Sequence, residues 1–109
     1  VRQYVVSNGT VQAQTAKLRR SGLDRLMDGI FLSERIGAEK PDIAFFAAVF
    51  AAIGPVDKAE TLIVGDSLTS DIQGGRNAGI QTCWYAPAGG ESPLPHHTIR
   101  DLHQVLALL

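Results

Sequence analysis

Four short apolar runs, each cut off by a polar or glycine-containing break and each followed by a helical period, constrain this chain more than any other feature. Gln3 to Val6 read as a buried strand, and Thr10 to Arg20 as a helix with Val11, Thr15 and Leu18 on one face and Ser21-Gly22 as its stop. Ile30 to Leu32 follow the turn signal Asp28-Gly29 and lead into a loop holding Glu39-Lys40-Pro41-Asp42. The proline and aspartate announce a helix with the apolar face Phe45, Phe46, Val49, Phe50 and Ile53, ended by Gly54-Pro55. Thr61 to Val64 are apolar without alternation, as expected of a strand covered on both faces.

A weak helix from about Thr69 to Ala78 comes next, closed by Gly79, and then a strand from Gln81 to Tyr85. A Pro/Gly loop from Ala86 to Pro95 leads to a last helix, capped by Thr98, with Leu102, Val105, Leu106 and Leu109 facing inward. Strand and helix thus alternate four times. The expected fold is α/β, a parallel sheet flanked by helices, with ligands beyond the carboxyl ends of the strands.

Composition excludes several function classes. The 109 residues fit a single domain, 1–109, which when compact buries roughly 65% of its unfolded surface. No stretch approaches the ~20 apolar residues of a membrane span, and the opening segment carries no secretory h-region, so neither a membrane nor an export route is expected. Net charge is -1, and the densest basic run, Lys17-Leu18-Arg19-Arg20, suits a solvated helix end better than a nucleic-acid surface. The single cysteine, Cys83, forms no intrachain disulfide and fits a reducing cytoplasm. It reads as a structural thiol in a buried strand, Trp84 as a residue packed under the following loop, and His96-His97 as a solvated loop.

Three strand or helix ends carry chemistry-bearing residues. In "LIVGDSLTSD" a strand delivers Asp66 to the sheet edge, with Asp71 five residues on. Two carboxylates at such a junction are half of a magnesium site, because magnesium keeps several waters and takes one or two carboxylates. The plainer alternative makes Asp66 a turn residue and Asp71 a complement to the helix dipole. Lys40 stands just before a proline-initiated helix, either near an anion-favouring helix end or simply solvated. Ser7 and Asn8 offer a hydroxyl, an amide and backbone N–H groups, as a phosphate cradle or as a cap.

Taken in order, "VVSNG", "EKPD" and "VGDSLTSD" resemble the second, third and fourth motifs of the haloacid dehalogenase superfamily of phosphohydrolases. The resemblance extends over essentially the whole chain, including "GLDRLMDGIFLSERIGAEKPD" and "GGRNAGIQTCWY", and "TCWYAPAGG" resembles the branch containing pyrimidine 5'-nucleotidases. It implies a magnesium-dependent phosphomonoester hydrolase acting on a small phosphorylated metabolite, with a nucleoside 5'-monophosphate as the leading candidate. By the same resemblance, Ser7 hydrogen-bonds a phosphoryl oxygen and Asn8 joins it at the phosphate. Lys40 neutralises the phosphate and the developing charge; Asp66 binds magnesium, and Asp71 binds it directly or orients a neighbouring group.

The family's catalytic Asp-x-Asp motif, which supplies a nucleophile and a general acid/base, occurs nowhere in these residues, and neither does its helical cap. The expectation is the C-terminal core portion of a larger phosphatase, inactive by itself, with weak or absent magnesium binding. The competing expectation is a short non-enzymatic phosphate-binding or interaction module. A receiver-like signalling domain would need an acidic pair where Ser7-Asn8 stands. Without the family's central strand, the strands ending at Ser7 and Asp66 have unpaired inner edges. They are expected to pair directly, to recruit a strand from a dimer or swap, or to retain an N-terminal piece.

Overall fold

The computed structural model describes residues 1–109 as an α/β chain with every strand pair parallel. Strand β1 (Tyr4–Ser7) gives way to helix α1 (Val11–Ser21) and returns as β2 (Gly29–Leu32), which lies beside β1 with Tyr4 opposite Gly29 and Ser7 opposite Leu32. Thr10 opens α1 by accepting the Ala13 N–H at 3.2 Å, and Gly22 closes it at φ 77°, a left-handed conformation that costs glycine little. A single turn, α2 (Ser33–Ile36), follows β2.

Helix α3 (Ile43–Ile53) begins at Asp42, whose side chain accepts the Ala44 N–H at 2.9 Å. Strand β3 (Leu62–Gly65) then leads through a wide π-type turn at Leu68–Ile72 into α4 (Gln73–Ala78) and on to β4 (Gln81–Tyr85). The connection after β4 carries no helix and brings in β5 (His97–Ile99), giving a second sheet in the order β3-β4-β5.

One core serves both sheets. Phe45, Phe46 and Val49 of α3 pack with Ile63, Ala78 and Ile80, while Val6 and Phe31 of the first sheet lean on the same cluster. Cys83 is fully buried, as expected of a structural thiol, and Trp84 lies against Gly90 of the following loop.

Five expectations need correction. β1 and β3 do not pair: the strands form a two-stranded and a three-stranded sheet, joined by side-chain packing on α3 rather than by a shared ladder. β3 is not covered on both faces, since Ile63 is buried but Val64, which points the other way, is 38% exposed. Thr98 caps no helix, because it belongs to β5; Asp101 caps the last helix (Leu102–Leu108), together with Gln104, in a capping box.

That last helix is also wound in tight three-residue turns. A period of 3.0 places Val105 and Leu108 on one stripe and Leu106 and Leu109 on another, so the inward face drawn at a 3.6 period breaks up. Leu102, Leu106 and Leu109 are 55, 71 and 67% exposed. Finally, the loop before β5 is not simply solvated. His96 and His97 are exposed, but the His96 Nδ1 accepts the Thr82 N–H at 3.1 Å and the His96 N–H donates to the Thr82 hydroxyl at 3.0 Å.

Candidate functional site

Lys40 is the centre of the constellation. Its side chain is buried and forms an ion pair and hydrogen bond with Asp71, and its ammonium also donates to the Val6 carbonyl at 3.1 Å. A buried cation is tolerated only when paired and hydrogen-bonded, and both conditions are met. The contact joins the two sheets, because Val6 belongs to β1 and Asp71 lies in the turn that follows β3.

Asp71 is buried too and uses both oxygens. Oδ1 takes the Lys40 ammonium, and Oδ2 accepts the Ser67 N–H at 3.3 Å. Ser67 in turn accepts the Ser70 N–H at 3.1 Å, which closes the π-type turn. Glycine at position 65 is what lets the carboxylate lie against the strand end, since a Cβ there would collide with the Asp71 side chain.

Asp66, next in sequence, is exposed. Its backbone carbonyl accepts the Trp84 indole N–H at 3.0 Å, so β4 fixes the turn that carries it. Sequence reasoning placed Trp84 beneath the loop and missed this second role; the parallel register that sets Gly65 opposite Trp84 was the missing information.

At the end of β1, the half-buried Ser7 has its oxygen facing the Gly9 N–H at 3.2 Å, which leaves the hydroxyl proton free to donate to a ligand. Asn8 is exposed but its amide is engaged with the Lys40 backbone, accepting the Lys40 N–H at 2.9 Å and donating to the Lys40 carbonyl at 3.0 Å. The start of α1 is not an open anion cradle. Thr10 takes the Ala13 N–H, and the Glu34 carboxylate takes the Val11 N–H at 3.4 Å.

Ser7, Asn8, Lys40 and Asp71 are therefore brought together around the end of β1, with Asp66 on the turn that touches Asp71. No cluster of three or more metal-ligating side chains exists in the chain. The donor set, one exposed and one buried carboxylate, suits a hard cation that keeps most of its water.

Comparison with known proteins gives a consistent picture. The model of the haloacid dehalogenase-like hydrolase family matches residues 1–85. A pyrimidine 5'-nucleotidase of Streptococcus pneumoniae, PynA, is 45% identical over 84 residues, 77% of this chain and 35% of that protein. The HAD-hydrolase YfnB of Bacillus subtilis is 40% identical over 109 residues, 97% of this chain and 46% of the relative. Its magnesium-bound crystal structure superposes with a TM-score of 0.93 over 98% of this chain and 48% of that one. A HAD phosphatase from Thermococcus onnurineus, at 26% identity, gives 0.90 over 98% of this chain and 49% of that one. The chain thus spans a third to a half of the length of these relatives.

Proposed function

The chain belongs to the haloacid dehalogenase-like hydrolase family, and from that premise we propose that it supplies the phosphate-holding and magnesium-holding half of a phosphomonoester hydrolase. The observation that carries the proposal is the buried Lys40 ammonium, held by Asp71 and the Val6 carbonyl one residue from Ser7. A fixed cation beside a hydroxyl donor stabilises the charge of a transferring phosphoryl group without reorganising when the reaction occurs.

Ser7 donates its hydroxyl proton to a phosphoryl oxygen, and Lys40 neutralises the phosphate. Asp66 is the candidate direct ligand for magnesium. Asp71, whose oxygens are both engaged, orients Lys40 and the turn and lends its charge to the metal side of the site. When bound, magnesium would supply further neutralisation of the phosphate oxygens.

Small phosphorylated substrates fit this site, and a nucleoside 5'-monophosphate is the leading candidate, because relatives at 45 and 36% identity are pyrimidine 5'-nucleotidases. Nucleophile and general acid/base are assigned to a portion of the protein outside these residues, which contain no Asp-x-Asp. The 1–109 chain then behaves as a core portion that holds phosphate and does not turn over.

Titration of the chain with inorganic phosphate, followed by 31P NMR with and without magnesium, tests the site. Binding that strengthens with magnesium and weakens about tenfold in Ser7→Ala, as loss of one hydrogen bond to a charged group implies, supports it; no binding under either condition overturns it. Phosphate release from a nucleoside monophosphate by the chain alone would overturn the predicted inactivity. Intact-mass measurement of the native polypeptide addresses the alternative: 11.7 kDa favours a short phosphate-binding or interaction module, and about twice that favours the larger phosphatase.

A further inference from the structure

We propose that Asn8 is a positioning residue that holds Lys40, and that it does not serve as a phosphate ligand; this rests on the anion-site reading of Lys40 above. The Asn8 amide forms a two-point clasp on the backbone of Lys40. Its oxygen accepts the Lys40 N–H at 2.9 Å, and its nitrogen donates to the Lys40 carbonyl at 3.0 Å. The clasp also fixes the amide's orientation, because the flipped arrangement would face donor to donor and acceptor to acceptor.

The consequence lies in how the lysine is delivered. Lys40 sits on the loop between α2 and α3, away from any strand ladder, so its own element does little to fix its backbone. Asn8, 32 residues earlier, ties that backbone to the end of β1 at the same place where the Lys40 ammonium meets the Val6 carbonyl. Main chain and side chain of Lys40 are thus anchored to one strand end, with Asp71 holding the ammonium from the other side. The amide oxygen of Asn8 and one of its two Nδ2 hydrogens are engaged in this work. A single Nδ2 hydrogen remains free.

Hydrogen exchange of the 15N-labelled chain, combined with inorganic phosphate titration, tests the proposal with Asn8→Ala and Asn8→Asp. In Asn8→Ala the Lys40 amide exchanges about tenfold faster, the effect of losing one net hydrogen bond, while the amides of Phe45 and Cys83 in the core keep their protection. Phosphate affinity falls with it. Asn8→Asp keeps the acceptor for the Lys40 N–H but sets its second oxygen against the Lys40 carbonyl, so it recovers part of the protection lost in Asn8→Ala, a partial rescue that general loosening of the fold would not produce.

Reduced phosphate affinity with unchanged Lys40 exchange would overturn the proposal and make Asn8 a ligand. A Lys40 amide unprotected in the unsubstituted chain would overturn it as well. Should the unsubstituted chain bind no phosphate, the anion-site reading fails, and the exchange rates still decide whether Asn8 holds Lys40.

Discussion

At the scale of single residues, Lys40 and Asp71 matter most because each is buried and depends on the other. Lys40→Met leaves the Asp71 carboxylate buried without its cation, a change that costs about 3–5 kcal/mol. Pairing Lys40→Met with Asp71→Leu removes both charges and recovers most of that loss, which urea unfolding of the two variants measures. His96 gives the pH prediction. Desolvation first, then the positive charge of Arg76 and then that of His97, holds its pKa below the ordinary 6.5. Geometry agrees, since Nδ1 accepts the Thr82 N–H and must carry a lone pair to do so.

The unfolded chain therefore binds the His96 proton more tightly than the folded one. Stability falls as pH drops through 6.5, and the loss levels off below the folded-state value. Denaturant midpoints compared at pH 8 and pH 5 show this fall, and His96→Gln, which has no ionisable ring, removes the part of it due to His96.

At the scale of elements, α4 packs closely against the second sheet. A Cβ at Gly75 would stand 2.6 Å from the Ile63 Cγ2 and 2.7 Å from the Thr82 Cγ2, both in buried residues. Alanine gains about 1 kcal/mol over glycine in a helix, but overpacking a core costs about 1–3 kcal/mol. Gly75→Ala is expected to destabilise on balance, and a higher thermal midpoint would contradict the packing argument. Gly65→Ala acts on the site rather than the core: it displaces Asp71 from the strand end and loosens the Lys40 pair, read as faster exchange at the Ser67 amide, which Asp71 accepts.

At the scale of the molecule, the chain exposes more surface than its mass requires. Its accessible area is 6819 Å², against about 5,900 Å² for a compact monomer of this size. It buries about 60% of its unfolded surface by the same scaling, below the expected 65%. The excess includes Val64 and the leucines of the final helix, and the strands remain in two separate sheets. Unpaired parallel edges recruit strands. Sedimentation velocity is expected to show association that grows with concentration and is weakened by Val64→Lys, which sets a charge beside the edge of β3; a strict monomer at every concentration would refute it.

The sequence by itself determined the alternation of strand and helix and most element ends, because those depend on local periodicity and on glycine and capping chemistry. Ser7, Asn8, Lys40, Asp66 and Asp71 were legible as site candidates because the segments that carry them, "VVSNG", "EKPD" and "VGDSLTSD", resemble the family's motifs in order. Only the tertiary structure decided how they divide the work. That Asn8 grips the Lys40 backbone, that Asp71 holds the Lys40 ammonium, and that Trp84 fixes the Asp66 carbonyl are contacts 32, 31 and 18 residues apart along the chain. Strand β5 and the three-residue winding of the last helix were missed for a related reason. The partners of β5 lie on β4, and no local period in the sequence records a ladder formed across a loop.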